Sequence, residues 1–175
     1  MNEINILSNM EKNEHVIGYY DMLKSQTNFY FVYEFCNGGT LQNMLDKEKR
    51  LDEKKALKIF KQLLVSFKLL YKYSVMHRDL KPDNILFKDG VVKLGDFGFC
   101  KNIEKTKMTK TMLGSPIYMA PEILKGEVYS SKADIWSMGV VLFEMIYGYC
   151  PFESSSIPKL LQILEETDVI FPNNV

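Results

Sequence analysis

Eight consecutive residues, His77-Arg78-Asp79-Leu80-Lys81-Pro82-Asp83-Asn84, bring two carboxylates, a lysine and a side-chain amide into one short stretch. Such a set suits phosphoryl transfer. That reaction asks little covalent help of a protein: it needs the acceptor hydroxyl held in line and the phosphate charge neutralised by metal and cations. A carboxylate near the acceptor, a carboxylate and an amide as hard oxygen ligands for Mg2+, and a lysine at the transferring group would meet the need. A further aspartate follows in Asp96-Phe97-Gly98, seventeen residues beyond Asp79. Farther on comes Ala120-Pro121-Glu122, its glutamate twenty-six residues beyond Asp96.

Positioning these groups requires a folded frame, and the composition allows one. The chain has 175 residues, 46% hydrophobic and 25% charged, which fits one globular domain with a single sizeable core and argues against disorder. Formal net charge is zero, so nothing at this level points to a nucleic-acid partner or an anionic membrane surface. The basic run Lys101–Lys110 is interleaved with Thr and Glu and reads as a solvated loop. Cys36, Cys100 and Cys150 are widely spaced and odd in number, which predicts free thiols in a reducing compartment. The first fifteen residues carry no secretory-signal pattern, and the most apolar segment, Ile135–Cys150, is interrupted by Glu144 and too short to span a bilayer. A cytoplasmic setting is expected.

Residues Asn2–Met10 read as helical, and Val16–Met22 and Asn28–Phe35 as strands rich in aromatic and β-branched residues. Gly38-Gly39 breaks the chain, and Thr40 caps a short helix through Asp46. From Asp52, a plausible N-cap, to Tyr73 the apolar residues Leu57, Phe60, Leu63, Leu64, Phe67, Leu70 and Tyr71 recur at helical steps between lysines. Ile85–Phe87 and Val91–Leu94 flank Lys88-Asp89-Gly90, where Asp-Gly signals a hairpin. Gly95–Pro116 reads as an extended loop, Lys132–Tyr147 as a buried helix, and Ser156–Glu166 as a final helix. Strands early and helices later suggest an α+β fold with a small mixed lobe and a larger helical one.

The set HRDLKPDN, DFG and APE, in this order and spacing, resembles the protein-kinase signature. The resemblance implies a protein-kinase-like fold in which residues 1–35 are a small N-lobe remnant, part of one helix and two strands. Residues 36–175 would then be the hinge and a mostly helical C-lobe. It implies ATP and Mg2+ as cofactors, with Asp79 as catalytic base and Lys81 neutralising the γ-phosphate. Asn84 and Asp96 would be the Mg2+ ligands. Lys81 followed by proline, and the run Gly114-Ser115-Pro116-Ile117-Tyr118, resemble the serine/threonine rather than the tyrosine pattern. Ser115 falls where a hydroxyl bonds the catalytic aspartate and lysine in that class. Protein substrates with Ser or Thr acceptors follow.

The same likeness assigns Glu34 and Cys36, in Glu34-Phe35-Cys36-Asn37-Gly38-Gly39, to the hinge whose backbone bonds adenine, with Tyr33 as gatekeeper and Leu86 beneath the ring. Leu7, Tyr19, His77 and Phe97 match a stacked spine. Arg78 and Lys101 would receive a phosphate on Thr111, with Thr109 as second choice. DFGF and GSPxYMAPE most resemble the autophagy-initiating kinases, with calcium/calmodulin-dependent kinases next. Glu3 aligns with the helix glutamate that pairs with a strand lysine, yet neither that lysine nor a glycine-rich phosphate loop occurs in these 175 residues. The expectation is a fragment of a kinase domain with an open sheet edge and an uncovered apolar face. The alternative reading is a non-catalytic kinase-like binding module.

Overall fold

The twenty-residue helix α3 (Glu53–Lys72) is the spine of the fold, and its sequence explains its placement. Asp52 caps it by accepting from the Lys55 N–H, and Ala56, Ile59, Leu63, Ser66, Phe67, Leu69 and Leu70 form its buried stripe. The computed structural model describes residues 2–102 and 112–172.

Ahead of α3 lie α1 (Asn2–Asn9), the antiparallel pair β1 (Tyr19–Lys24) and β2 (Phe29–Tyr33), and α2 (Leu41–Glu48). Thr40 and Asn43 close a reciprocal capping box at the start of α2, as the threonine after the glycine pair suggested. After α3 come β3 (Val75–Met76), a helical turn over Pro82–Asn84, and the hairpin β4 (Ile85–Lys88) and β5 (Val91–Leu94). Asp89 and Gly90 both take positive φ at its tip, 51° and 81°, which matches the twist of a two-residue hairpin turn. Then follow β6 (Lys101–Asn102), a helical turn over Pro116–Tyr118, α4 (Pro121–Leu124), α5 (Lys132–Tyr147) and α6 (Ile157–Glu166).

The helices at 53–72, 132–147 and 157–166 stand within a residue of their sequence-predicted bounds. Two expectations need correction. The first strand starts at Tyr19 rather than Val16, because Ile17 N–H donates to Leu94 O and Leu94 N–H to His15 O, committing that segment to β5 instead. The stretch from Gly95 is not wholly loop: Lys101–Asn102 pairs antiparallel with Val75–Met76. One apolar core runs from Ile6, Met10 and Val16 through α2, α3 and the β4–β5 hairpin into α5. A second, around Met76, Ile123, Tyr129, Phe152 and Leu160, seats α4 and α6. Among the described residues no helix is long and apolar enough to cross a membrane.

The open sheet face anticipated for β1–β2 is present. Leu23 and its cross-strand partner Tyr30 are each more than half exposed on one face, and Phe29, next along the strand, is equally exposed on the other.

Candidate active site

The loop from His77 to Asn84 is held by α5. Asp134, in the first turn of that helix and buried, accepts the backbone N–H groups of His77 and Arg78, each at 2.9 Å. Burial pushes its carboxyl pKa upward, opposed by the two N–H donors and the Arg78 charge. The His77 ring is fully buried between Phe67 and Phe97. Its Nε2 bonds Gly95 O at 3.0 Å and therefore carries the proton, leaving Nδ1 to accept from Asp79 N–H at 3.4 Å. With Gly95 N–H donating to Asn84 O at 2.9 Å, two links tie the loop to the segment before Asp96.

Arg78 and Asp96 both adopt left-handed backbone, φ 71° and 57°. Conformations of this kind cost of order 1–3 kcal/mol in a non-glycine residue, so the surroundings must impose them. Asp134 does so for Arg78, and the Gly98 N–H donates to Asp96 Oδ1 at 3.2 Å.

Asp79 is buried with both carboxylate oxygens engaged. Oδ1 accepts from Ser115 N–H at 3.1 Å; Oδ2 accepts from Asn84 Nδ2 at 3.1 Å and lies 3.5 Å from Lys81 Nζ. Lys81 Nζ also donates to Ser115 Oγ at 3.3 Å. Ser115 therefore joins the aspartate and the lysine, but by two different groups: its amide serves Asp79 and its hydroxyl serves Lys81. Gly114 must be glycine for this approach, since a Cβ there would stand 2.7 Å from Arg78 O at φ 110°. Asn84 spends its amide hydrogens on Asp79 O (2.7 Å) and Oδ2, which leaves Oδ1 as a hard acceptor. The exposed Asp96 has no bond to its second carboxylate oxygen among the described residues. Asp83 faces solvent.

α5 also fixes the segment carrying Ser115. Ser137 Oγ donates to Tyr118 O at 2.7 Å, and Tyr118 OH donates to Glu144 Oε2 at 2.8 Å. Burial, then the neighbouring Glu144 charge, pushes the Cys150 thiol up to about 12, so it is inert at neutral pH.

Arg78 extends to Phe99 O through Nε and to Tyr129 OH through Nη1 at 3.4 Å. Lys101 sits in β6 opposite Met76, and no bond joins it to Arg78 among the described residues. Thr111 and Thr109 lie outside the described residues.

Directly beyond Asn84, Gly38 N–H donates to Phe87 O and Phe87 N–H to Gly39 O, zipping residues 38–40 along β4. Glu34 N–H is used by Gly18 O, while Glu34 O and Cys36 N–H are unengaged among the described residues. Leu86 bridges to Thr40, its side chain close over Gly95. Of the spine set, His77 and Phe97 meet edge to face at 5.5 Å, Tyr19 packs on Tyr33, and Leu7 rests against the main core. The side chain of Glu3 is not among those described.

Sequence reasoning missed Asp134, Tyr129 and the partners of Glu34. For Asp134 a signal existed: an acid between Ala133 and Ile135, at the head of a largely apolar helix, needs a partner once it is buried.

The chain matches the protein kinase domain over residues 1–173. It belongs to that family. It is 39% identical over 180 residues to serine/threonine-protein kinase atg1 of Dictyostelium discoideum, covering 99% of this chain and 27% of that protein. It is 34% identical over 180 residues to serine/threonine-protein kinase ULK1 of Homo sapiens, covering 97% and 17%. Calcium-dependent protein kinase 5 of Plasmodium falciparum is 34% identical over 176 residues, covering 98% and 31%. Hence the order of resemblance read from DFGF and GSPxYMAPE holds, and this kinase-family chain spans about a third or less of the length of these relatives.

Proposed function

We propose that this chain carries the phosphotransfer centre of a serine/threonine protein kinase, moving the γ-phosphoryl group of ATP to a Ser or Thr hydroxyl of a protein. One observation carries the reading: Asp79 is buried yet aimed, with Asn84, Ser115 and Lys81 holding its two oxygens. A carboxylate fixed in this way can take the proton of an acceptor hydroxyl while the new O–P bond forms and the bond to the departing diphosphate breaks. In this reading Lys81, beside Asp79, neutralises charge on the transferring group.

The donors fit Mg2+. Asn84 Oδ1 and the Asp96 carboxylate are hard oxygens, and the first is freed by the amide's bonds to Asp79. When bound, Mg2+ supplies charge neutralisation across the phosphates. Glu34 O and Cys36 N–H are the unspent backbone groups that would bond adenine above Leu86. In this reading residues 1–35 belong to the nucleotide-side lobe, and residues 36–175 form the hinge and substrate-side lobe.

Regulation follows from Arg78. Phe99 O and Tyr129 OH leave part of its guanidinium unspent, and a phosphate on Thr111 would give it a charge-assisted partner, with Lys101 nearby in sequence. Three free thiols favour a cytoplasmic setting.

The test is phosphate incorporation from labelled Mg-ATP into a Ser/Thr protein substrate, beside an Asp79→Asn control. Incorporation that depends on Asp79 supports the reading. Binding of ATP with no Asp79-dependent incorporation would favour the non-catalytic binding module instead.

A further inference from the structure

Glu34 enters the nucleotide site by its backbone, yet its side chain is the more unusual feature. It is only 6% exposed, and three donors from two other segments converge on it. Oε1 accepts from Gly18 N–H at 2.7 Å and Lys93 Nζ at 2.8 Å; Oε2 accepts from Lys88 Nζ at 3.0 Å. Burial alone would raise its pKa, but Lys93, the Gly18 amide and Lys88 outweigh it and hold the carboxyl below its ordinary value.

Geometry gives this carboxylate a task. Lys93 is the direct cross-strand partner of Leu86, and Lys88 lies two residues along β4 from Leu86. Cross-strand partners and residues two apart share one face of a hairpin. The face that offers Leu86 therefore also offers the two ammonium groups that grip Glu34. Gly18 adds a second anchor, since its N–H and C=O bond the side chain and the backbone N–H of Glu34. On the far side of Cys36, Asn37 clasps Asp89 by two bonds of 2.8 and 3.0 Å, so the hinge is fastened to the hairpin at both ends.

We infer that the Glu34 side chain is a positioning residue for the nucleotide: its bonds to Lys88 and Lys93 set the height of the Glu34–Cys36 backbone above Leu86, the slot into which adenine fits. The inference rests on the nucleotide-site reading above. Loosening the clasp lets the hinge shift against its floor, and displacements near 1 Å are enough to weaken an oriented contact.

The experiment measures adenosine binding by calorimetry on the full chain, at a temperature where circular dichroism shows every variant folded. Adenosine probes the slot without calling on Asp79, Lys81 or metal. Glu34→Gln keeps the shape and an acceptor for Gly18 but removes the charge; its Kd should rise roughly tenfold. Lys93→Met should act in the same direction, Lys93→Arg should stay within about threefold of the parent, and the Glu34→Gln/Lys93→Met pair should be no worse than its weaker member. Val141→Ala, a core change that lowers Tm, should leave Kd within about twofold, which separates positioning from general stability. If Glu34→Gln does not fold, Lys88→Met and Lys93→Met decide. Parent-like adenosine binding in those variants, or none in the parent, overturns the inference. Glu34-sensitive adenosine binding without phosphotransfer would instead sink the functional reading and leave this one standing.

Discussion

From His77 to Asn84 the loop is held from three sides: Asp134 takes two of its backbone amides, Gly95 takes its histidine, and Ser115 takes its aspartate. The β1–β2 pair has the same order of size and almost none of this. Its strands bond each other, but Tyr20 is 65% and Tyr30 53% exposed, and the sheet has no third strand among the described residues. A two-stranded sheet without a covering layer is marginal in water, whereas a loop cross-linked to a buried helix inherits that helix's stability. Of these two regions the irregular one is therefore firmly held and the regular one weakly supported.

Four changes test the contrast, beginning with the largest effect. Asp79→Asn should cut phosphotransfer by about 10²–10⁴-fold. Both carboxylate oxygens accept from buried donors, so the amide nitrogen must face one of them and stability should fall by about 1–3 kcal/mol; an unchanged Tm would show that the aspartate's bonds do not hold the loop. Asp134→Ala removes the acceptor of two buried amides and should cost about 3–5 kcal/mol in denaturant unfolding; a loss below about 1 kcal/mol would mean the loop is held chiefly by other contacts.

The third change concerns pH. Glu34 has a folded pKa below its ordinary 4.5, so its stabilisation is complete above that value and drains away as pH falls through the lowered one. Between pH 6 and acid conditions below 4.5, Tm of the parent should therefore fall about 2–5 °C more than that of Glu34→Gln. Parallel melting curves would remove Glu34 from the set of groups that hold the hinge. Smallest of all, Leu23→Thr on the exposed face of β1 should alter stability by less than about 0.5 kcal/mol while reducing self-association in ultracentrifugation. A large loss there would show a covered face and erase the contrast.

Much of this architecture could be read along the chain. α3 and α5 announced themselves by helical spacing, and the β4–β5 hairpin by Asp89-Gly90, all signals carried within a few residues. The residues meant for chemistry were legible as a motif, and the fold does bring Asp79, Lys81, Asn84 and Ser115 together. What escaped was non-local. Asp134 reaches partners 57 and 56 residues away, and the β3–β6 pairing joins two strands of two residues each, too short to leave a periodic trace. Ser115 was expected to act through its hydroxyl alone; that its amide serves Asp79 depends on the close turn at Gly114, which no local rule supplies. The salt-linked side chain of Glu34 was hidden for the same reason, its lysines lying across a different hairpin.

The chain has a single tryptophan, Trp136. It stacks on Phe152 at 6.1 Å and 12°, and its indole N–H is buried without a partner among the described residues. Its emission is consequently a private optical signal of the α5 region. Excited at the red edge of the indole band, where tyrosine does not absorb, it will register the collapse of the helical core and stay blind to the β1–β2 sheet, which far-ultraviolet dichroism or exchange follows instead. Two probes followed through one denaturation would then separate on this protein, with the sheet melting first and the tryptophan last.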